Sequence, residues 1–112
     1  MYGNVRSASV YGIEAMLINV EADVSDGLPL FNMVGYLASE VKEARDRVKT
    51  ALKNSCFALK PKHITINLSP ADVRKAGTAF DLPIALACLA ASEIIPNEKL
   101  ENQVVIVVTK VP

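Results

Sequence analysis

The sequence predicts an α/β (α+β) domain in which helices pack on one face of a mixed β-sheet, in the order β-β-β-α-β-α-β. Three observations support this prediction. Ile64, Ile66 and Leu68 recur at period two, as in a strand with one buried face. A helical stripe of apolar residues precedes that strand, and a segment that is apolar almost all round follows it. The early strands are joined by short turns, and strands and helices mix within one unit.

The composition indicates one soluble globular domain spanning residues 1–112. Hydrophobic residues make up 51% of the chain, and 12 basic residues balance 12 acidic ones. A dedicated nucleic-acid domain usually carries a basic excess, so only a local basic patch remains open. The opening MYGNVRSASV lacks the apolar core of a signal peptide, and we therefore expect a cytoplasmic protein with no membrane contact.

Three strands are predicted before the first helix. Val5–Val10 and Ile13–Ala22 flank Tyr11-Gly12, which is a candidate for a tight turn. The second strand is apolar on both faces in its middle, and this predicts a central position in the sheet. The third strand, Leu30–Val34, follows a turn signal at Asp26-Gly27.

The first helix is predicted over Glu40–Ser55, with Ser39 as its N-cap and Asn54 as a helix stop. Glu43 and Arg47 are spaced as an i,i+4 ion pair. The apolar residues lie three or four apart and predict one buried stripe, formed by Val41, Ala44, Val48, Ala51 and Leu52.

The central stretch is predicted to be a strand over His63–Leu68, a polar loop over Ala71–Phe80 and a helix that starts near Asp81. The carboxylate of Asp81 is suited to cap the first helical turn, and Pro83 lies early enough to cost no hydrogen bond. Because this helix is apolar on nearly all sides, we expect it to be buried.

Reactive side chains are sparse. Cys56 and Cys88 are far apart in sequence and are predicted to be reduced, buried core residues. Together with one histidine they supply too few ligands for a metal site, and His63 is interpreted as a strand-end residue. Asp72 and Asp81 could in principle pair for acid–base chemistry, but a turn residue and a helix cap are the simpler interpretation.

Two groups of basic residues are candidates for anion contacts. Lys75-Ala76-Gly77 precedes a helix, whose first amides could bind a phosphate. Against this, Asp81 would repel an anion, and the chain has no GxxxxGK[ST] pattern, so a mobile surface loop is the simpler interpretation. The basic residues of the first helix are spread around its exposed arc. A solvated face is the default for them, and a nucleic-acid patch is the alternative.

Several specific runs resemble one protein family. They are VKEARDRV (Val41–Val48), NLSPAD (Asn67–Asp72) and DLPIA (Asp81–Ala85), with Lys75 and Gly77 between the last two. Over about residues 3–105, the chain resembles the N-terminal domain of the magnesium chelatase-like AAA+ ATPases, the group that includes competence protein ComM.

This resemblance implies a fold like ribosomal protein S5 domain 2, which the proteolytic domain of Lon shares. In Lon-like proteases a serine starts the helix that corresponds to the one beginning at Asp81 here, and a lysine from a later helix activates it. Asp81 cannot be that nucleophile, and the region of the lysine has no counterpart. We therefore expect no peptidase activity, and we interpret Asp81 as a helix cap.

The resemblance also implies the function. The domain is expected to be a non-catalytic accessory part of an ATP-driven DNA-remodelling or branch-migration motor in natural transformation. ATP and Mg²⁺ would bind a separate AAA+ domain downstream, and neighbouring subunits of a homo-oligomeric ring would be further partners. We expect no catalytic, cofactor-binding or metal-binding residue in these 112 residues. The candidate DNA or partner contacts are Arg45, Arg47, Lys49, Lys53, Arg74 and Lys75, and the family-motif residues expected to be structural are Asp72, Gly77, Asp81 and Pro83.

The end of the chain departs from the family pattern. Gln103–Thr109 is a β-branched run and is predicted to be a last strand. Family members usually continue with a glycine-turned hairpin, which the residues after Ile106 do not resemble. Two alternatives to the accessory role stay open: a structural oligomerisation module, and a Lon-like peptidase with altered residues.

Overall fold

The computed structural model describes residues 1–11, 13–57 and 59–107. Over these ranges the chain forms four strands, three α-helices and a final 3₁₀ turn at Asn97–Lys99. The bounds are β1 Tyr2–Tyr11, β2 Glu14–Ser25, β3 Phe31–Val34, α1 Ser39–Lys42, α2 Ala44–Asn54, β4 His63–Ser69 and α3 Asp81–Ala91.

The strands form one mixed sheet in the order β1-β2-β4-β3. β2 pairs antiparallel with both β1 and β4, and β3 pairs parallel with β4. The central position predicted for the second strand is therefore confirmed, as is the mixed sheet. Within β2, only the Asn19–Ser25 end pairs with β4. The other end of the β1–β2 hairpin therefore projects beyond the rest of the sheet.

The core lies between one face of the sheet and the helices. Ile64, Ile66 and Leu68 are buried in β4, as their spacing predicted, and Ala44, Val48 and Leu52 form the buried stripe of α2. α3 is buried along most of its length, because it packs against both β1 and β2. Gly3 permits this approach: a Cβ atom at this residue would lie only 2.3 Å from the carbonyl oxygen of Ala87 in α3.

The first helical segment differs from its prediction. It starts after Ala38 and is interrupted at Glu43, which separates α1 from α2. Ser39 is the first residue of α1 and caps nothing, because Ala38 occupies the N-cap position without a side-chain hydrogen bond. At the interruption, the guanidinium of Arg47 donates to the carbonyl oxygen of Glu40 at 2.6 Å.

Both long helices end in the same way. Cys56 follows α2 with φ of +65°, and Glu93 follows α3 with φ of +60°. The amide of Phe57 donates to Leu52 and that of Cys56 to Lys53, and this pair of bonds defines a Schellman motif. The prediction of two buried cysteines is thus wrong for Cys56, which is exposed. Cys88 is buried, and burial raises its pKa to about 12.

The predicted last strand does not form as a ladder within the described residues. Val104 makes an isolated parallel bridge with Arg6, and the amide of Val105 donates to the carbonyl oxygen of Arg6 at 2.8 Å. Val108 and Thr109, which belong to the predicted strand, lie outside the described residues. No helix in the described part of the chain has the length and apolar character needed to cross a membrane.

Candidate functional site

The two most specific sequence motifs meet at an ion pair between α2 and α3. The guanidinium of Arg47 donates to both carboxylate oxygens of Asp81, at 2.6 Å and 3.0 Å. Asp81 raises the pKa of Arg47 through this hydrogen-bonded contact. The prediction of Asp81 as a helix cap is wrong: Phe80 is the N-cap residue, and the Asp81 carboxylate faces Arg47 instead of the helix amides.

The loop before α3 is anchored to the rest of the fold at two further points. The amide of Lys75 donates to the carbonyl oxygen of Tyr36, and the amide of Ala38 donates to that of Lys75, both at 2.9 Å. The amide of Gly77 donates to the Glu40 carboxylate at 3.0 Å, and this contact lowers the pKa of Glu40. Gly77 has φ of +79°, which favours glycine.

Lys75 is fully buried, unlike the other lysines within the described residues. Its ammonium group donates to the carbonyl oxygen of Pro70. Burial lowers the pKa of Lys75, and the charge of Asp72 partly opposes this effect. The side chain is therefore withdrawn from any DNA or partner molecule at the surface.

This junction joins α2, α3 and the loop between β4 and α3. Asp81, the first residue of α3, is held by Arg47. Pro83 lies buried in the first turn of α3. Within the described ranges, no three His, Cys, Asp or Glu side chains are grouped so that they could hold a metal ion.

A second feature lies on another side of α2. It is a groove of about 320 Å³ between α2 and the segment that leads into β4, and we call it the lysine groove. Its lining residues are Pro29, Leu30, Phe31, Lys49, Lys53, Leu59, Lys60, Pro61, Lys62 and Ile64. None of them is acidic, although the whole chain has a formal net charge of +0.

The lysines of this groove differ in their partners. Lys62 forms an ion pair with Asp26 outside the groove, and this contact lowers the pKa of Asp26. Lys49 lies over the ring of Phe31, with 5.7 Å from its ammonium nitrogen to the ring centroid. Lys53 and Lys60 have no hydrogen bond or ion pair with the described residues.

The predicted contact residues are therefore separated by the structure. Lys49 and Lys53 line the groove, whereas Arg47 belongs to the ion-paired junction and Lys75 is buried. Arg45 and Arg74 are exposed away from the groove lining, and Arg45 lies 3.5 Å from Asp46.

Sequence reasoning did not include Lys60 and Lys62 in the site. The run Lys60-Pro61-Lys62 before a buried strand was the available signal, but its position opposite α2 depends on the tertiary fold.

Comparison with known proteins identifies the family. The family model described as subunit ChlI of Mg-chelatase matches residues 20–109. The chain belongs to this family. Within it, the chain is 49% identical over 98 residues to YifB of Escherichia coli, which is described as uncharacterized, and 48% identical over 98 residues to competence protein ComM of Haemophilus influenzae.

The ChlI-family chain is also 36% identical over 100 residues to Mb2921c of Mycobacterium bovis, likewise described as uncharacterized. These alignments cover 88%, 88% and 89% of the chain, but only 19%, 19% and 20% of the respective relatives. The chain thus spans about a fifth of the length of the relatives it matches. It is a ComM-like member of the magnesium chelatase-like family, as the resemblance implied.

Proposed function

We propose that this domain is a non-catalytic accessory domain of a cytoplasmic AAA+ ATPase that remodels DNA, with branch migration during natural transformation as its process. Membership of the ChlI family and the similarity to a protein named for competence support this proposal. ATP and Mg²⁺ would bind a separate AAA+ domain of the same protein. Neighbouring subunits of a homo-oligomeric ring would be the protein partners.

The lysine groove is the observation that supports a contact with DNA. Four lysines line one small concave surface of a domain whose basic and acidic residues balance over the whole chain. Such a cluster of lysines attracts the phosphate groups of DNA. Binding releases counterions from the DNA, so the affinity for DNA depends on the salt concentration. Since Lys53 and Lys60 have no protein partner among the described residues, their charges can be offered to a ligand.

A binding experiment tests this proposal. The chain is titrated against a labelled forked DNA, which has both paired and unpaired arms, at several salt concentrations. The double variant Lys49→Gln/Lys53→Gln should bind more weakly. The slope of log affinity against log salt should shrink by about 1.5, because each lost phosphate contact removes about 0.7–0.9.

The matched control is Lys42→Gln/Lys99→Gln, which removes the same charge from exposed positions outside the groove lining. The control should keep the slope of the unmodified chain. Equal losses in both double variants would show that the groove has no special role. Absence of salt-dependent DNA binding would refute the DNA contact, and motor-like ATP hydrolysis by the 112-residue chain would refute the non-catalytic role.

A structural oligomerisation module is the second candidate. It is favoured by the projecting end of the β1–β2 hairpin, where Val10, Ile13 and Leu17 are 74%, 104% and 62% exposed. This candidate predicts association that depends on concentration in analytical ultracentrifugation, without affinity for DNA. A Leu17→Ser variant should weaken that association.

A further inference from the structure

We propose that the lysine groove selects an unpaired DNA strand, with phosphates held by lysines of both walls and a base resting on the apolar floor between them. This inference rests on the proposed DNA contact and names the form of DNA that the groove takes.

The groove has two basic walls. Lys49 and Lys53 lie one helical turn apart on the same side of α2, so their side chains are neighbours along one wall. Lys60 and Lys62 line the groove from the segment before β4, which we call its second wall; Lys62 also pairs with Asp26. A strand that runs between the walls can place its phosphates near ammonium groups on either side.

The floor between these walls is apolar. Leu30, Leu59 and Ile64 contribute aliphatic side chains, and Pro29 and Pro61 contribute rings. Leu30 is 48% exposed, so a substantial apolar surface is open to a ligand. A purely electrostatic phosphate site has no need of such a floor, whereas a base gains free energy when its face leaves water.

This combination favours an unpaired strand over a duplex. A duplex keeps its base faces stacked inside and presents phosphates on a convex surface, so it would leave the recessed floor uncovered. An unpaired strand exposes its base faces and can enter a concave site. The volume of about 320 Å³ lies at the lower end of the range of about 300–1,000 Å³ for small-molecule pockets, as expected for one nucleotide unit.

The lining residues also predict little sequence preference. Direct readout of base edges uses arginine or lysine on guanine and asparagine or glutamine on adenine; of these the lining contains only lysines, which we assign to phosphates. A second groove of about 340 Å³ shares Leu59, Lys60, Lys62 and Ile64 with the first, and offers a continuation for the neighbouring nucleotides.

The test compares three labelled probes of equal length by fluorescence anisotropy: oligothymidylate, the corresponding dA·dT duplex, and an abasic single strand. We expect oligothymidylate to bind several-fold more tightly than either of the others. An abasic strand that binds as tightly as oligothymidylate would overturn the contact between base and floor. This comparison requires no variant and is therefore independent of folding.

A matched pair of variants locates the contact. Leu30→Ser should lower the affinity for oligothymidylate several-fold, because it removes apolar surface from the base contact, and leave the affinity for the duplex unchanged. Leu28→Ser is the control, because Leu28 is 74% exposed two residues away and does not line the groove. Unfolding midpoints establish that both variants are folded.

The outcomes separate the two proposals. If all three probes bind with the same salt-dependent affinity, and both leucine variants behave alike, strand selection is refuted and the proposed DNA contact stands. If no probe binds in a salt-dependent manner, the proposed DNA contact fails, and strand selection fails with it.

Discussion

The ion pair between Arg47 and Asp81 should stabilise the fold measurably, and a double-mutant cycle with Arg47→Met and Asp81→Ala can isolate its contribution. The guanidinium contacts both carboxylate oxygens across the interface of α2 and α3. The two side chains are 36% and 28% exposed, respectively, so the pair is neither fully solvated nor fully buried.

The expected magnitude follows from that geometry. Exposed ion pairs contribute about 0.2–1 kcal/mol to stability, and hydrogen bonds to charged groups about 1.5–3 kcal/mol. A half-exposed, two-pronged pair should lie between these ranges, so we expect a coupling energy of about 1 kcal/mol. Arg47→Met should cost more than this coupling, because the variant also loses the bond to the carbonyl oxygen of Glu40.

Urea unfolding at neutral pH, followed by circular dichroism, measures the four free energies of the cycle. Arg45→Met is the matched control on the same helix, because Arg45 is 51% exposed and pairs only with its neighbour Asp46. The control should change stability by less than about 0.5 kcal/mol. A coupling energy near zero, or equal effects of Arg45→Met and Arg47→Met, would refute the role assigned to the junction.

Three further predictions concern backbone conformation, titration and packing. Cys56→Gly should raise the unfolding free energy by about 0.5–1 kcal/mol. The left-handed conformation costs an L-residue about 1–2 kcal/mol, and the larger backbone entropy that glycine loses on folding offsets part of this gain. Ser55→Gly, at the adjacent residue with φ of −94°, should instead lower the unfolding free energy. Glu40→Gln should destabilise the fold at neutral pH and lose this effect as the pH falls below about 4.5. A carboxyl whose pKa is lowered on folding stabilises the fold above its unfolded pKa, and this contribution is lost as the pH falls through its folded pKa. If urea titrations gave the same stability difference between the variant and the unmodified chain across this pH range, the contact with the loop amide would be contradicted. Gly3→Ala should prevent normal folding, since the added Cβ would approach the Ala87 carbonyl oxygen to 2.3 Å; an unchanged thermal midpoint would show that α3 does not pack against β1 as described.

Several errors of sequence reasoning share a physical cause. Ser39 and Asp81 have the side chains that usually cap helices, yet neither caps one here. Asp81 is engaged by a residue 34 positions earlier in the chain, and a charged two-pronged contact competes successfully with a local cap. Cys56 was predicted to be buried from its residue type, but the left-handed helix terminus turns it towards solvent.

Local side-chain patterns were sufficient to predict several elements of the fold. The alternation through Ile66 predicts β4, the stripe through Val48 predicts the buried side of α2, and the apolar run around Ala87 predicts the buried α3. These predictions succeed because burial of apolar surface imposes the period of each element on its own residues. The family motifs can also be recognised from the sequence alone.

The contacts of the polar residues, in contrast, depend on how the elements pack. Packing of α2 against α3 joins Arg47 to Asp81, and Lys75 is buried within the loop before α3. Lys53 of α2 and Lys60 of the segment before β4, two ordinary surface lysines, line one groove once the elements have packed. The spacing of charged residues along the sequence does not indicate which residues they will contact. Those contacts depend on distances that are set when the helices and strands pack.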